Sequence, residues 1–447
     1  MERLIKKYNI PAPRYTSYPT VPFWGNSVND GWMDSVIKCF NETNNKTGIS
    51  LYIHLPYCEK LCTYCACTKL ITQDHNKEKK YIDSIIKEWN MYLTNFSEKP
   101  IIREIHLGGG TPTFFSPENL KILINNIVNN SIVHKDYVFS FEAHPNNTSK
   151  EHLQTLYDVG FRRVSFGIQD FDLAVQKTIN RIQKFETIQL LTELSREIGY
   201  NSINYDLIYG LPKQINESID LTMDKISLLK PDRIAFYSYA HVPWTQKGQR
   251  IFSEKDIPNN EKKRELYEQG KKRLLDLGYR DIGMDHFAFP SDELFKAKEE
   301  KRLHRNFMGY NTNQTKLLIG LGISSISDAY YAFSQNSKSE QEYIRNATNC
   351  VEKNYMLSSQ DLIIKHAILD IACKGVLFLS EEIKDLLPES SFDKLEEMKT
   401  EGIITLHNNT LKVTNMGMTF LRNICMVFDI KLINKQNKDS NMFSKSI

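Results

Sequence analysis

Ile49-Ser50-Leu51-Tyr52-Ile53-His54-Leu55-Pro56-Tyr57-Cys58-Glu59-Lys60-Leu61-Cys62-Thr63-Tyr64-Cys65-Ala66-Cys67 joins an apolar run to four cysteines crowded within ten residues. The run Ile49–Leu55 is short and rich in β-formers, the signature of a buried strand. The first three cysteines have the spacing C-x3-C-x2-C. Three thiolates so spaced can hold a cubane [4Fe–4S] cluster and leave its fourth iron without a cysteine, whereas ordinary cluster carriers fill every iron. An open iron points to chemistry, as an open position does in a catalytic zinc site. Two other readings fit the same residues: a closed zinc site using Cys67 as fourth thiolate, and inert or redox thiols. Structural zinc sites usually pair two well-separated knuckles, and no second pair is evident.

Outward from this strand the pattern alternates. Further β-rich runs lie at Arg103–Leu107, Tyr137–Glu142, Arg163–Ile168, Ile203–Tyr209 and Arg233–Tyr239. Between them stand helical patterns at Tyr81–Leu93, Pro117–Asn126, Lys150–Val159, Phe185–Ile198 and Asn216–Leu229. This alternation predicts an α/β fold, a partial six-stranded (β/α)6 barrel with a parallel sheet. Ser116 before Pro117 and Ser149 before Lys150 are the expected helix N-caps. Cys58 to Cys67, Gly108-Gly109-Gly110-Thr111, Glu142, Gln169, Asp206 and Ala240 fall at or just beyond the strands' C-terminal ends. Active sites of (β/α) barrels are built on that edge. A carboxyl such as Glu142 or Asp206 is also expensive to bury without a partner.

The composition is that of an ordinary globular protein: 41% hydrophobic and 25% charged residues over 447 positions. With 57 basic and 54 acidic side chains, no whole-protein field recruits nucleic acid or a membrane surface. No run of roughly 18 apolar residues predicts a membrane span, and Met1–Pro13 lacks the apolar core of a secretory signal. Eight cysteines in a chain of this length do not form a secreted disulfide framework, so the expected compartment is the reducing cytoplasm. Beyond the barrel, a helix is expected at 261–278 with Gly278 at its end, followed by a small-residue apolar segment at Leu317–Ser327. From about 345 come helices at Leu362–Cys373, Glu381–Leu387 and Ser391–Glu401. A hairpin then spans Ile403–Leu406 and Thr410–Val413. The expected division is 1–48 as an N-terminal substrate-covering segment, 49–330 as barrel and extension, 345–433 as a mainly helical, winged-helix-like domain, and 434–447 as a disordered tail. Without a basic excess, the winged-helix-like part reads as a cap or cover.

Ile105-His106-Leu107-Gly108-Gly109-Gly110-Thr111-Pro112-Thr113 follows the second strand. Its glycines let backbone approach a ligand closely, and it shares the barrel edge with the cysteines. Leu51–Cys58 with Cys62, Tyr64 and Cys65 resembles the radical S-adenosylmethionine (SAM) superfamily. Pro13-Arg14-Tyr15-Thr16-Ser17-Tyr18-Pro19-Thr20, Gly108–Phe114, Phe166–Phe171, Asn204–Pro212, Tyr239–Pro243 and His304–Tyr310 resemble the oxygen-independent coproporphyrinogen III oxidases, and the likeness covers nearly the whole chain.

The resemblance implies that Cys58, Cys62 and Cys65 bind the [4Fe–4S] cluster, whose open iron takes one SAM. It implies a second SAM beside the first. By motif match, Tyr52, Gly109, Glu142 and Ile326 would contact the cluster-bound SAM; Tyr64, Gly110, Thr111, Gln169, Arg181, Asp206 and Ala240 would line the second site. The implied reaction converts coproporphyrinogen III to protoporphyrinogen IX, two propionates becoming vinyls, through a 5′-deoxyadenosyl radical. Arg14, in a segment dense in tyrosine and proline, is a candidate for binding propionate; Lys6, Lys7, Arg302 and Arg305 are weaker ones. Cys67 matches the fourth cysteine of the oxidases and is not an expected ligand; a role in hydrogen donation or substrate positioning is its implied use. The expected partners are the porphyrinogen and an electron donor such as flavodoxin or ferredoxin, with the protein a monomer. Related alternatives are a haem chaperone and a haem-degrading radical SAM methyltransferase. The presence of Cys67 and the Pro13–Thr20 segment favours the oxidase over the chaperone.

Overall fold

Twelve strands form one sheet, in the computed structural model that describes residues 2–25, 28, 31–435 and 443. In chain order they are β1 (Ile49–Leu55), β2 (Ile101–Gly109), β3 (Ile132–Ala143), β4 (Arg163–Gln169), β5 (Ser202–Tyr209), β6 (Arg233–Ser238), β7 (Arg280–Gly283), β8 (His286–Ala288), β9 (Leu318–Leu321), β10 (Ile326–Asp328), β11 (Ala332–Asn336) and β12 (Val351–Met356). Strands β1 to β6 are neighbours in sequence order and pair in parallel. They are the six βα units read from the sequence, β1 with the expected bounds. The helices that separate or precede them are α1 (Glu2–Tyr8), α2 (Trp32–Thr47), α3 (Lys77–Asn95), α4 (Pro117–Asn129), α5 (Lys150–Asp158), α6 (Leu173–Thr178), α7 (Phe185–Ile198) and α8 (Asn216–Leu229).

The sheet extends past this core on both sides. Leu318–Leu321 inserts in parallel beside β1, with Leu51 opposite Ile319. Strands β10, β11 and β12 continue antiparallel from it. Beyond β6, β8 and then β7 add as antiparallel strands. The segment Leu317–Ser327, read only as apolar, thus supplies a seventh parallel strand. All four residues of β9 are buried, so no alternation marked it.

Each barrel strand turns one face outward to the helices and one to the lumen. In β1, Ile49, Leu51, Ile53 and Leu55 are fully buried on the helix side. Tyr81, Ile85, Trp89 and Tyr92 recur at three- and four-residue spacing on α3 and join the same core. A fully buried side chain of this size contributes about 1.5–3 kcal/mol. Ser116 caps α4 by accepting from the Asn119 amide at 3.3 Å, and Ser149 caps α5 from the His152 amide at 3.3 Å. Both caps stand where the sequence placed them.

A second core joins the two ends of the chain. Leu4, Tyr8, Tyr15 and Tyr18 pack with Ile368, Ile371, Phe420 and Ile424 of the C-terminal region. Tyr8 Oη donates to Glu401 at 2.7 Å and Tyr15 Oη to Asp429 at 3.1 Å. Trp24 then stacks on Phe333 of β11, and α2 packs against the sheet itself. The C-terminal hairpin turns at Asn408 and Asn409, both at positive φ, and gains a third strand at Val376–Phe378. The stretch 434–447, expected to be a disordered tail, is helical at its first two residues. Asn434 and Lys435 close the helix Ile430–Lys435; the rest of that stretch, apart from residue 443, lies outside the described residues.

Candidate active site

The strands' C-terminal ends and the barrel lumen enclose one cavity of about 500 Å³. Cys58, Cys62, Cys65 and Cys67 line its mouth together with Tyr64, Gly109, Gly110, Thr111, Glu142, Gln169, Arg181 and Asp206. Tyr52, Ala240, Ile326 and Arg14 stand outside this lining. Tyr52 lies behind it, stacked on lumen-facing His106 and bonded to His54 Nδ1 at 3.1 Å. Ile326 presents its backbone to Gly320, which pairs with Tyr52 across β1 and β9. Arg14 pairs with Asp285 at 3.7 Å and lies over the ring of Tyr237, a lining residue. Of the weaker basic candidates, Lys7 is tied to Glu397 and Glu401, Arg302 pairs with Glu300, and Arg305 donates to the Arg14 carbonyl.

The cysteine loop is held from three sides. Gly110 donates its amide to the Leu55 carbonyl at 2.9 Å. A Cβ at Gly110 would stand 2.3 Å from the Pro56 carbonyl oxygen, so only glycine lets the two strand exits meet. Thr111 Oγ1 is 3.2 Å from Cys58 Sγ. On the far side, Gln249 is fully buried and its Nε2 donates to the carbonyls of Tyr64 at 3.0 Å and Ala240 at 3.1 Å. This glutamine clamps the loop to the exit of β6, and no sequence pattern had marked it. The Cys67 thiol hydrogen-bonds to the Cys65 sulfur and holds Cys65 down to about 6, against the effect of burial.

Carboxyls face the thiols across the mouth. Glu142 accepts from the Gly109 amide at 3.2 Å and lies 3.5 Å from His106 Nε2. Asp206 lies within β5 rather than at its end; it accepts from Ser165 at 3.0 Å and Asn204 at 3.0 Å. Burial, and then the charge of Glu142, pushes Asp206 up to about 6. Gln169 ends β4 at φ 71°, and the turn it makes is pinned by buried Asp170 through Gln214 at 2.6 Å and Thr222 at 3.2 Å. Arg181 crosses to the cysteines from the loop between α6 and α7. Its Nη2 donates to the Gly167 carbonyl at 2.6 Å, its Nη1 to Cys62 Sγ at 3.5 Å, and its buried Nε has no partner.

Residues 52–226 match the model of the radical SAM superfamily. Over 441 residues the chain is 35% identical to an oxygen-independent coproporphyrinogen III oxidase of Pseudomonas aeruginosa, covering 95% of both chains. It is 37% identical to the corresponding protein of Helicobacter pylori, again over 95% of each. The chain belongs to the oxygen-independent coproporphyrinogen III oxidase family. The solved structure of a family member, the radical SAM enzyme from Escherichia coli, agrees: TM-score 0.88 at 33% identity, covering 97% of this chain and 99% of that one.

Membership of this family implies a [4Fe–4S] cluster and SAM. The residues present suit them. Four free thiols line the cavity, Cys58, Cys62 and Cys65 among them, and a partly unsatisfied guanidinium reaches to Cys62. Among the described residues no three His, Cys, Asp or Glu side chains converge as a single-ion site would require. Nor is any helix of the described residues long and apolar enough to cross a membrane.

The strand ends are only part of the site, which continues into the barrel lumen. Glu104 and His106 of β2, Ser140 of β3, Arg163 and Ser165 of β4, and Arg233 and Tyr237 of β6 also line the cavity. Two-residue alternation along each strand was the signal for them.

Proposed function

We propose that this chain performs the oxygen-independent oxidative decarboxylation of coproporphyrinogen III to protoporphyrinogen IX, converting two propionates to vinyls. The observation that carries this reading is the near full-length likeness to coproporphyrinogen III oxidases combined with three cysteines and Arg181 on one cavity wall. Cys58, Cys62 and Cys65 hold the [4Fe–4S] cluster. Held there with SAM, the cluster would supply radical chemistry, a 5′-deoxyadenosyl radical able to take a hydrogen atom from the propionate β-carbon.

The chain's own residues bind and shield. A first SAM would lie beside Tyr52, Gly109, Glu142 and Ile326, and the Glu142 carboxylate suits an ammonium or ribose hydroxyls. Tyr64, Gly110, Thr111, Gln169, Arg181, Asp206 and Ala240 make room for a second SAM. The Arg181 fork suits its carboxylate. Tyr64 packs toward Val175, Ile179, Leu211 and Tyr239, an apolar wall that keeps water from the reacting atoms. Arg14 offers a charge to a substrate propionate, on an N-terminal segment that covers the barrel. Cys67, hydrogen-bonded to Cys65, would donate hydrogen or position substrate beside the ligands. The electron for SAM cleavage comes from a protein such as flavodoxin or ferredoxin.

The test is turnover. Reduced, anaerobically reconstituted protein is incubated with SAM and coproporphyrinogen III. The expected result is CO2 together with protoporphyrinogen IX. Tight haem binding with no CO2 would move the reading to a haem chaperone.

A further inference from the structure

The cavity has a second end whose chemistry differs from the cysteine end. Arg163 opens β4 and Arg233 opens β6, and both side chains line the cavity. Arg163 lies four residues before Gly167, roughly 13 Å deeper along the strand. Asp292 and Glu104 are the carboxyls whose charge Arg163 feels. Asp292 is committed elsewhere: it accepts from Arg233 Nε at 2.6 Å, Ser202 Oγ at 2.8 Å and the Leu294 amide at 2.7 Å. Glu104 accepts from Ser50 at 2.9 Å, and burial pushes its carboxyl up toward the neutral form.

Arg163 has no side-chain hydrogen bond or ion pair among the described residues. Arg233 is 4% exposed and spends only its Nε on Asp292. Burial, and then repulsion from Arg233, pushes the Arg163 guanidinium down to about 9. It is therefore still charged at neutral pH, and no counter-ion touches it. A partly buried guanidinium that lines a cavity without a partner is costly, and an anion entering the lumen relieves that cost.

We propose that Arg163, flanked by Arg233, anchors a carboxylate of the substrate in the lumen. The inference rests on the oxidase reading, whose substrate carries propionates around a flexible ring. A planar guanidinium fork suits a carboxylate bidentately. SAM also carries a carboxylate, but Arg181 at the cysteine end is placed for that one. The anchor is distinct from Arg14, which lies on the N-terminal segment.

The test uses reconstituted anaerobic holoenzyme, wild type, Arg163→Gln and Arg163→Lys. Titrations with coproporphyrin III (the stable oxidised tetracarboxylate), with its tetramethyl ester and with SAM are compared. Arg163→Gln should bind coproporphyrin III about tenfold or more weakly, the loss of a charge-assisted hydrogen bond. Its KM for coproporphyrinogen III should rise while SAM affinity and iron content stay unchanged, and Arg163→Lys should recover part of the loss. The wild type should prefer the acid to the ester. Equal coproporphyrin III binding by wild type and Arg163→Gln overturns the proposal. So does a selective loss of SAM affinity, which would give the guanidinium to the SAM carboxylate. The ester comparison needs no variant: a wild type that binds ester as tightly as acid also overturns the anchor. The oxidase reading fails separately, if wild-type holoenzyme releases no CO2 from coproporphyrinogen III.

Discussion

Arg181 ties Cys62 to Gly167: Nη1 lies 3.5 Å from the sulfur, and Nη2 donates to the glycine carbonyl at 2.6 Å. A Cβ at Gly167 would stand 2.7 Å from Nη2, so the glycine is what lets the guanidinium cross β4. Nε is buried without a partner, while the guanidinium lines the cavity and keeps a second N–H on each Nη for a ligand. Arg181→Met should therefore weaken SAM binding by about tenfold or more, the scale of a charged hydrogen bond. Iron content should stay near that of the wild type. Equilibrium dialysis with SAM and iron analysis of the same sample read both. Loss of iron would assign Arg181 to holding the loop.

On the proposed reading three of the four thiols are cluster ligands and Cys67 is not. Cys58→Ala, Cys62→Ala and Cys65→Ala should each abolish cluster loading, while Cys67→Ser should load as the wild type does. Iron and sulfide assays with the visible absorption spectrum check this. A Cys67→Ser protein that loses iron would favour four-thiolate binding, the zinc-like arrangement.

Gln249 carries the position of the cysteine loop. It makes two hydrogen bonds to the Tyr64 and Ala240 carbonyls and accepts from the Val242 amide at 2.6 Å. Gln249→Ala leaves buried backbone groups unmatched, at roughly 2–3 kcal/mol. Denaturant unfolding should show that loss. SAM cleavage uncoupled from decarboxylation should increase as the loop loosens.

Glu88 links α3 to the strands beyond β1. It accepts from Tyr343 at 2.5 Å, Asn336 at 2.6 Å and the Gly322 amide at 2.9 Å. Burial nevertheless pushes it from 4.5 up to about 7. Folded protein then binds this proton more tightly than the unfolded chain. Stability from this group is full below about pH 4.5 and declines as pH rises toward 7, by about 3 kcal/mol in total. Glu88→Gln should flatten that slope. Unfolding free energies of wild type and variant across pH 5 to 8 measure it, and parallel slopes would contradict the assignment.

The frame of this fold was legible because its residues carry local signals. Ile49–Leu55 is a strand with the expected bounds, and Ser116 and Ser149 cap the helices predicted for them. Glu142 and Gln169 could be placed from strand ends alone. Arg181 could be named only by likeness, since its position depends on a glycine across the sheet and on a short loop between α6 and α7. Arg163 and Arg233 gave no signal because a charged residue at a strand start reads as solvated until the lumen closes around it. Gln249 and β9 left no local signal: one acts through distant carbonyls, and the other is buried on both faces.

On the proposed function this chain removes a hydrogen atom from the propionate β-carbon of coproporphyrinogen III. The most direct measurement uses substrate deuterated at that carbon with anaerobic, reduced holoenzyme and unlabelled SAM, followed by mass spectrometry of the products. The 5′-deoxyadenosine should carry deuterium, alongside protoporphyrinogen IX and CO2. Protoporphyrinogen IX formed with no deuterium in the 5′-deoxyadenosine would contradict it.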